Sequence, residues 1–193
     1  PSVGAGNVLR DILDSDVVPS VRLTDIFRQD ESSMIVWNAH LINQGEMPIL
    51  RTRNTDFFFE RRVMQSEAAQ TICNLLSARL PKYLHFPQGS WQSEATRTIQ
   101  VLTPTKKGDC GSYILNRMLQ SALNPESPDK DTLIHGDTEF RVGDKVIQTK
   151  NDYQLEYTRK TPFGTEEGQG VFNGDVGFIS QVDVQDRVVT VRY

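Results

Sequence analysis

Residues 99–123, IQVLTPTKKGDCGSYILNRMLQSAL, contain the pattern on which the predicted fold depends. The apolar run at 99–102 predicts a buried strand, and a turn-rich loop follows at 103–108. Helical spacing of apolar residues then predicts a helix over 110–123, which ends before Pro125. A strand, a loop and a helix in this order are typical of an α/β domain with a mainly parallel sheet and flanking helices.

The sequence before this stretch continues the alternation of helices and short strands. Helices are predicted at residues 6–14, between a serine cap at Ser32 or Ser33 and Gly45, and at 66–80, where Pro81 is expected to close the last of them. Strands are predicted at residues 21–23 and 56–60. These elements extend the α/β pattern toward the N-terminus.

A different pattern begins after the polar segment at 125–131. Short strands are predicted at 145–149, 177–182 and 187–193, with turns at Gly143-Asp144, Asn173-Gly174 and Asp186. The charged, glycine-containing stretch 159–170 is predicted to be a mobile hairpin tip. Closely spaced short strands favour a small β-barrel, so the predicted domains are 1–135 and 136–193.

The composition is that of an ordinary globular chain, since 37% of the 193 residues are hydrophobic and 24% are charged. The net charge of -4 argues mildly against a dedicated nucleic-acid-binding module, although a locally basic groove is compatible with it. No apolar run approaches the roughly 20 residues of a membrane span and no leader opens the chain, so we expect a cytoplasmic protein. Cys73 and Cys110 form no CxxC pair, which indicates neither a metal site nor a disulfide framework.

Five short segments occur in a fixed order along the chain. They are PSVGAGNVL at 1–9, LTDIFRQ at 23–29, NAHLINQG at 38–45, VLTP at 101–104 with the helix that ends in LNP at 123–125, and GDKV at 143–146 with FNGDVG at 172–177. In this order they resemble RecD-like DNA helicases of superfamily one, from the end of the third helicase motif through the second motor domain. The resemblance extends over nearly the whole chain. It implies part of a RecA-like motor domain and an inserted SH3-like β-barrel.

The resemblance also implies that Arg28 and Gln29 face an ATP cleft, with Arg28 as an arginine finger. A planar guanidinium can hold two γ-phosphate oxygens, on which phosphoryl transfer gathers negative charge. From the residues alone, a surface arginine paired with Asp25 or Asp30 is the alternative.

The family's phosphate-binding loop and Mg²⁺ ligands have no counterpart in this sequence, so we expect no ATP hydrolysis by this stretch alone. ATP and Mg²⁺ are expected in the full-length protein, and neither is expected to be bound here. The first motor domain of the same chain is an expected partner, because it would carry the rest of the ATP site.

Single-stranded DNA is the other expected partner. The hydroxyls of Thr103 and Thr105, Lys107 and the backbone at Gly108 precede a helix start, where free N–H groups can cradle a phosphate. RecD-like helicases use this loop on the DNA backbone, and the resemblance implies the same use here. A solvated loop before a capped helix is the alternative.

Asn38 and His40 are further candidate DNA contacts. They lie two positions apart on one predicted helix and therefore point in different directions, so one of them could face the cleft or the DNA. For His40, a packed or surface role is the alternative.

Lys145 and Asn151 are the candidate DNA contacts in the predicted barrel. They are interleaved with Tyr153 and Phe172, and basic residues beside aromatic ones can hold a strand by phosphate contact and base stacking. In the alternative interpretation, the two aromatic side chains lie in the barrel core.

These features predict part of an ATP-dependent DNA helicase, which the resemblance implies moves from 5′ to 3′. A stand-alone single-stranded nucleic-acid-binding module and a protein-docking module stay open as alternatives. Gly108-Asp109-Cys110-Gly111, together with His40, also resembles the nucleophile loop and histidine of chymotrypsin-like proteases. That fold consists of two β-barrels, whereas His40 and Cys110 fall in predicted helices, so the protease interpretation is set aside.

Overall fold

A computed structural model describes residues 6–21, 33–51, 55–162 and 164–193. The chain divides into two compact units, Pro1–Arg61 and Arg62–Tyr193. The helices are α1 (Val8–Asp14), α2 (Met34–Asn43), α3 (Gln65–Asn74), α4 (Leu80–Tyr83), α5 (Trp91–Thr98) and α6 (Ser112–Leu123), with a π-helical turn at Leu75–Arg79. The strands are β1 (Thr132–His135), β2 (Thr138–Arg141), β3 (Lys145–Ile147), β4 (Asp152–Thr161), β5 (Gly164–Val171), β6 (Val176–Asp183) and β7 (Val188–Arg192).

The first unit contains α1 and α2. Two side chains, those of Ser33 and Asp56, accept hydrogen bonds from the N–H groups at the start of α2. Ser33 is the N-cap residue, as predicted, and its hydroxyl accepts a hydrogen bond from the Val36 N–H. Asp56 accepts a second bond from the Met34 N–H at 2.8 Å and a third from the Ser33 hydroxyl at 2.5 Å. The bond from the Ser33 hydroxyl is the main reason why the pKa of Asp56 is below its ordinary value, and backbone N–H groups such as that of Met34 lower this pKa further. Desolvation of the carboxylate raises the pKa, but by less than the Ser33 bond lowers it. The carboxylate therefore joins a distant segment of the chain to the start of α2.

Protonation of Asp56 is expected to loosen the start of α2. Because its pKa is lowered in the folded protein, its contribution is present above the unfolded pKa, near 4, and is lost as pH falls through the lower folded value. Hydrogen-exchange protection of α2, corrected for the pH dependence of intrinsic exchange, should decrease over that acid window. Asp56→Asn should have lower protection at neutral pH and lack the acid-linked part of the loss. The exposed Asp129→Asn serves as the control, and an unchanged acid dependence in Asp56→Asn would contradict the role of this carboxylate.

The parallel sheet predicted from the sequence is not seen within the described ranges. Every strand pairing there is antiparallel, and the predicted strands at 56–60 and 99–102 belong to none of the sheets. The predicted strand at 21–23 falls almost entirely outside the described residues. An apolar run becomes a strand only where a neighbouring strand pairs with its backbone, and short-range sequence patterns do not reveal that neighbour. The prediction of strands at 56–60 and 99–102 was therefore wrong for this structure.

The helical part of the second unit extends past the predicted end at Pro81. The Leu80 N–H donates to the Leu75 carbonyl five residues back, which widens the helix into a π-helical turn just before the proline. Proline inside a regular α-helix would clash with a carbonyl of the preceding turn, so the widened turn explains how α4 can continue to Tyr83. Pro81 is fully buried. α5 follows, and no sequence pattern predicted it.

The strands of the second unit form three antiparallel sheets, with the orders β1-β2, β3-β6-β7 and β4-β5. One apolar core joins the first two sheets, with Leu133, Ile179 and Val182 at its centre. The three predicted strands are confirmed with small shifts of their ends, whereas β1 and β2 were not predicted. The hairpin predicted at 159–170 is confirmed as the distal part of the β4-β5 ribbon. The predicted domain boundary at 135/136 stays a prediction.

None of the helices within the described ranges combines the length and the apolar composition that crossing a membrane requires.

Candidate nucleic-acid interface

The loop at 103–111 is closed by its own hydrogen bonds. The Thr103 hydroxyl donates to the Cys110 carbonyl at 2.6 Å, and the Thr105 hydroxyl donates to the Lys107 carbonyl at 3.1 Å. The Gly111 N–H donates to the Gly108 carbonyl at 2.8 Å. Both predicted hydroxyl contacts thus serve first to shape the loop, because each proton is used within it.

The same loop folds back over the start of α6. The N–H groups of Ser112 and Tyr113 donate to the carbonyls of Thr105 and Lys106, at 3.0 and 3.2 Å. A side chain at Gly111 would place its Cβ 2.5 Å from the Lys107 carbonyl oxygen, so only glycine permits this close return. The expectation of free N–H groups at this helix start was therefore wrong for its first two donors, which the loop itself satisfies.

The loop exposes two ammonium groups that can contact an anion. The side chains of Lys106 and Lys107 are exposed, as is the backbone at Gly108. The Cys110 thiol donates to the Gln65 carbonyl at 3.0 Å and anchors the loop to the start of α3. Lysines on a backbone that is held in this way suit a phosphate contact, because the loop is already ordered before a ligand arrives.

Asn38 has a structural role that no sequence pattern predicted. Its side chain is 1% exposed, and its amide donates to the Ile49 carbonyl at 3.1 Å while its oxygen accepts from the Ile49 N–H at 2.7 Å. The amide therefore mimics a strand partner and holds the chain that follows α2. This role differs from the predicted DNA contact, because a fully buried side chain offers no surface to a strand in this conformation. His40 is exposed in the last turn of α2.

Arg28 and Gln29 lie outside the described residues, so their predicted place in the ATP cleft stays a prediction.

The two candidate contacts in the barrel differ in how much of each side chain is available. The Lys145 ammonium donates to the Ile99 carbonyl at 3.3 Å and is half-buried, which joins the barrel to the chain before the 103–111 loop. Asn151 is exposed, and its side-chain oxygen accepts from the Asn173 N–H at 2.8 Å. Asn151 therefore holds the turn at Asn173, which agrees with a structural role for that turn.

Tyr153 and Phe172 lie outside the barrel core, which corrects the core alternative. Their rings meet edge to face with centroids 5.8 Å apart. The exposed fractions are 68% for Tyr153 and 47% for Phe172. The core is instead filled by aliphatic residues and Phe140.

A hydrogen-bonded network joins the end of α6 to the barrel. The Asp144 carboxylate accepts from the side chains of Gln120 and Asn124, at 2.6 and 2.7 Å, and from the Arg141 N–H at 2.8 Å. The buried Arg141 guanidinium in turn donates to the Asn124 carbonyl and pairs with Glu139. The sequence marks Asp144 only as a turn residue, since its partners at the end of α6 are 20 and 24 positions away. We refer to Gln120, Asn124, Arg141 and Asp144 as the α6–barrel joint.

The chain is similar to known proteins over its C-terminal part and over nearly its whole length. Residues 115–193 match the family described as the ATP-dependent RecD-like DNA helicase SH3 domain. The chain is 28% identical over 183 residues to the ATP-dependent RecD2 DNA helicase of Deinococcus radiodurans, which covers 95% of this chain and 21% of that protein. It is 37% identical over 92 residues to uncharacterized protein MJ1519 of Methanocaldococcus jannaschii, covering 42% of this chain and 7% of that protein. The chain thus spans about a fifth or less of the length of these relatives.

The last helix and the barrel therefore contain an SH3-like domain of the kind found in helicases. The chain is similar to RecD-like helicases both through this domain and through the relative that aligns with nearly its whole length. The resemblance inferred from five short segments is confirmed at this level.

Proposed function

We propose that this chain is the part of an ATP-dependent DNA helicase that holds the backbone of single-stranded DNA and supplies Arg28 to the ATP site. The observation that carries the first half is the 103–111 loop, which presents Lys106 and Lys107 from a backbone tied to α6 and to Gln65. The similarity to the RecD2 helicase supports the second half.

ATP and Mg²⁺ would be held by another part of the helicase. The sequence contains no phosphate-binding loop with its lysine. Arg28 would therefore act from across the cleft, where its guanidinium stabilises the negative charge on the γ-phosphate oxygens. Cleft closure would then be required for its contact, which would couple turnover to movement along DNA.

The 103–111 loop is expected to bind the DNA backbone mainly by charge. Each lysine that neutralises a phosphate releases a counterion, so binding weakens as salt concentration rises. Such a contact carries no sequence preference, which suits a motor that must move along any strand.

Replacing Lys106 and Lys107 together with alanine is expected to weaken binding of an oligothymidine and to flatten its salt dependence. Two lost phosphate contacts should reduce the slope of log affinity against log salt by about 1.4, because each contact contributes about 0.7 for a single strand. Fluorescence anisotropy of a labelled oligonucleotide over a series of salt concentrations measures this slope with the 193-residue chain.

The control for this experiment carries Lys82→Ala and Lys160→Ala, which remove the same charge from exposed positions outside the loop. The control should lose little of the slope. Equal losses in the two double variants would mean that net charge, and not the 103–111 loop, determines the binding.

A further inference from the structure

One end of the β4-β5 ribbon carries exposed aromatic and amide side chains that the barrel core does not use. Tyr153 and Phe172 are the aromatic pair described above, and Asn151, Asn173 and Lys150 are exposed beside them in the chain. We call these five residues the ribbon patch. An aromatic side chain that stays exposed does not contribute the free energy that its burial would give. Folding alone therefore does not explain why two of them are grouped here.

Glycines in β5 make room for rings on this ribbon. A Cβ at Gly170 would lie 3.2 Å from the Phe172 ring, and Gly170 has a φ of 104°, which only glycine adopts readily. A Cβ at Gly168 would lie 2.5 Å from the ring of Tyr157, the residue opposite it in the ladder. The rings of Tyr157 and Phe172 therefore lie over positions of β5 that have no side chain.

Tyr153 lies in an irregular part of β4. The ladder is regular from Glu156 onward but shifts its register between Asp152 and Glu156. The Asp152 carboxylate stabilises this bulge by accepting from the N–H groups of Gln154 and Leu155, at 3.0 and 3.1 Å. Asp175 likewise accepts from the Phe172 N–H at 2.8 Å. Both carboxylates next to the ribbon patch are thus directed at the protein's own backbone.

We propose that Tyr153 and Phe172 form a base-stacking surface for single-stranded DNA. The proposal rests on the proposed function, and it adds recognition of bases to the backbone contact of the 103–111 loop. Two aromatic side chains fit the apolar faces of bases, and the exposed Asn173 amide can meet a polar base edge. The Asn151 amide is bonded to the Asn173 N–H and to the Tyr153 hydroxyl, so it orders the ribbon patch. Lys150 is the only basic residue of the ribbon patch, and the carboxylates of Asp152 and Asp175 lie next to the patch. The patch therefore suits bases better than phosphates.

The two proposed DNA contacts differ in charge, so the salt dependence of binding can distinguish them. Stacking is insensitive to salt, whereas phosphate contacts are not. Tyr153→Ala is therefore expected to reduce oligothymidine affinity about 5-fold or more with little change in the salt slope. Lys106→Ala with Lys107→Ala should instead reduce the slope. Anisotropy titrations of the 193-residue chain measure both quantities on one labelled strand.

Three comparisons make the stacking test specific. An abasic strand of equal length should bind the wild-type chain more weakly than oligothymidine, and Tyr153→Ala should remove most of that difference. Tyr153→Trp should retain it, because a ring is kept. Phe59→Ala removes another exposed ring, from the first unit, and should leave the difference unchanged. Far-UV circular dichroism checks that each variant is folded.

The outcomes separate this inference from the proposed function. Equal binding of the abasic and thymidine strands, unaffected by Tyr153→Ala, would overturn the stacking surface and leave the backbone contact standing. Weakening by Tyr153→Ala that Tyr153→Trp does not restore would overturn a stacking role as well, since it would indicate loss of structure. Absence of binding to either strand would overturn both.

Discussion

Arg28→Ala is expected to lower the DNA-stimulated ATP turnover of an intact helicase that contains this chain by about a thousandfold or more. The guanidinium would stabilise charge that develops on the γ-phosphate oxygens, so its loss should affect the chemical step far more than ATP binding. The measurement compares steady-state ATP hydrolysis, with and without single-stranded DNA, against equilibrium binding of a fluorescent ATP analogue. We expect turnover to fall and ATP affinity to stay within a few-fold of the wild-type value.

Two variants sharpen this test. Arg28→Lys keeps the positive charge but removes the planar pair of donors, so it should recover only a small part of the lost turnover. Arg10→Ala removes an arginine whose partner on α1 is Asp14, and it should leave turnover unchanged. Unchanged turnover in Arg28→Ala would instead fit a surface arginine paired with Asp25 or Asp30, and the proposed place of this chain at the ATP site would then lose its central residue.

Local features of the fold were predictable because their causes lie within a few residues of each other. The Ser33 cap precedes α2 directly, and the glycine turns at Gly143 and Gly174 both adopt the positive φ that only glycine reaches at low cost. The apolar spacing in α1 and α6 likewise reports helices whose hydrogen bonds are local. These elements needed no knowledge of distant partners.

Other features depend on partners that are distant in the sequence. The predicted strand at 99–102 had the right composition, but it belongs to none of the described ladders, while Ile99 accepts from Lys145 across 46 positions. Asn38 was expected near DNA because it lies in a family segment, yet its amide is bonded to Ile49. Tyr153 was assigned either to DNA or to the core, and only the folded structure shows that it is exposed and contacts Phe172. Composition cannot reveal contacts of this kind.

α6 connects the 103–111 loop to the α6–barrel joint. Its first turn is wrapped by the 103–111 loop, and its last turn enters the α6–barrel joint. A helix with both ends fixed transmits a displacement at one end to the other, since its backbone bonds resist bending and stretching. Movement of the loop on a DNA backbone is therefore expected to reach the α6–barrel joint.

Asp144→Ala is expected to destabilise the second unit by roughly 3 kcal/mol or more. The substitution removes the acceptor of three hydrogen bonds, from Gln120, Asn124 and the Arg141 backbone. Each buried donor left without an acceptor costs about 1–3 kcal/mol, although Gln120 and Asn124 keep their second bonds to the Glu139 and Val142 carbonyls. Urea unfolding followed by far-UV circular dichroism gives the change in the free energy of unfolding.

Asp144→Asn tests whether the acceptor itself is what matters. The amide has the same shape as the carboxylate, but it replaces one acceptor with a donor that would face the amide of Gln120 or of Asn124. We therefore expect a substantial loss of stability from a nearly isosteric change, whereas Asp137→Ala, in the exposed turn between β1 and β2, should stay within about 0.5 kcal/mol of the wild type. If Asp144→Asn were as stable as the wild type, the joint would depend on packing alone.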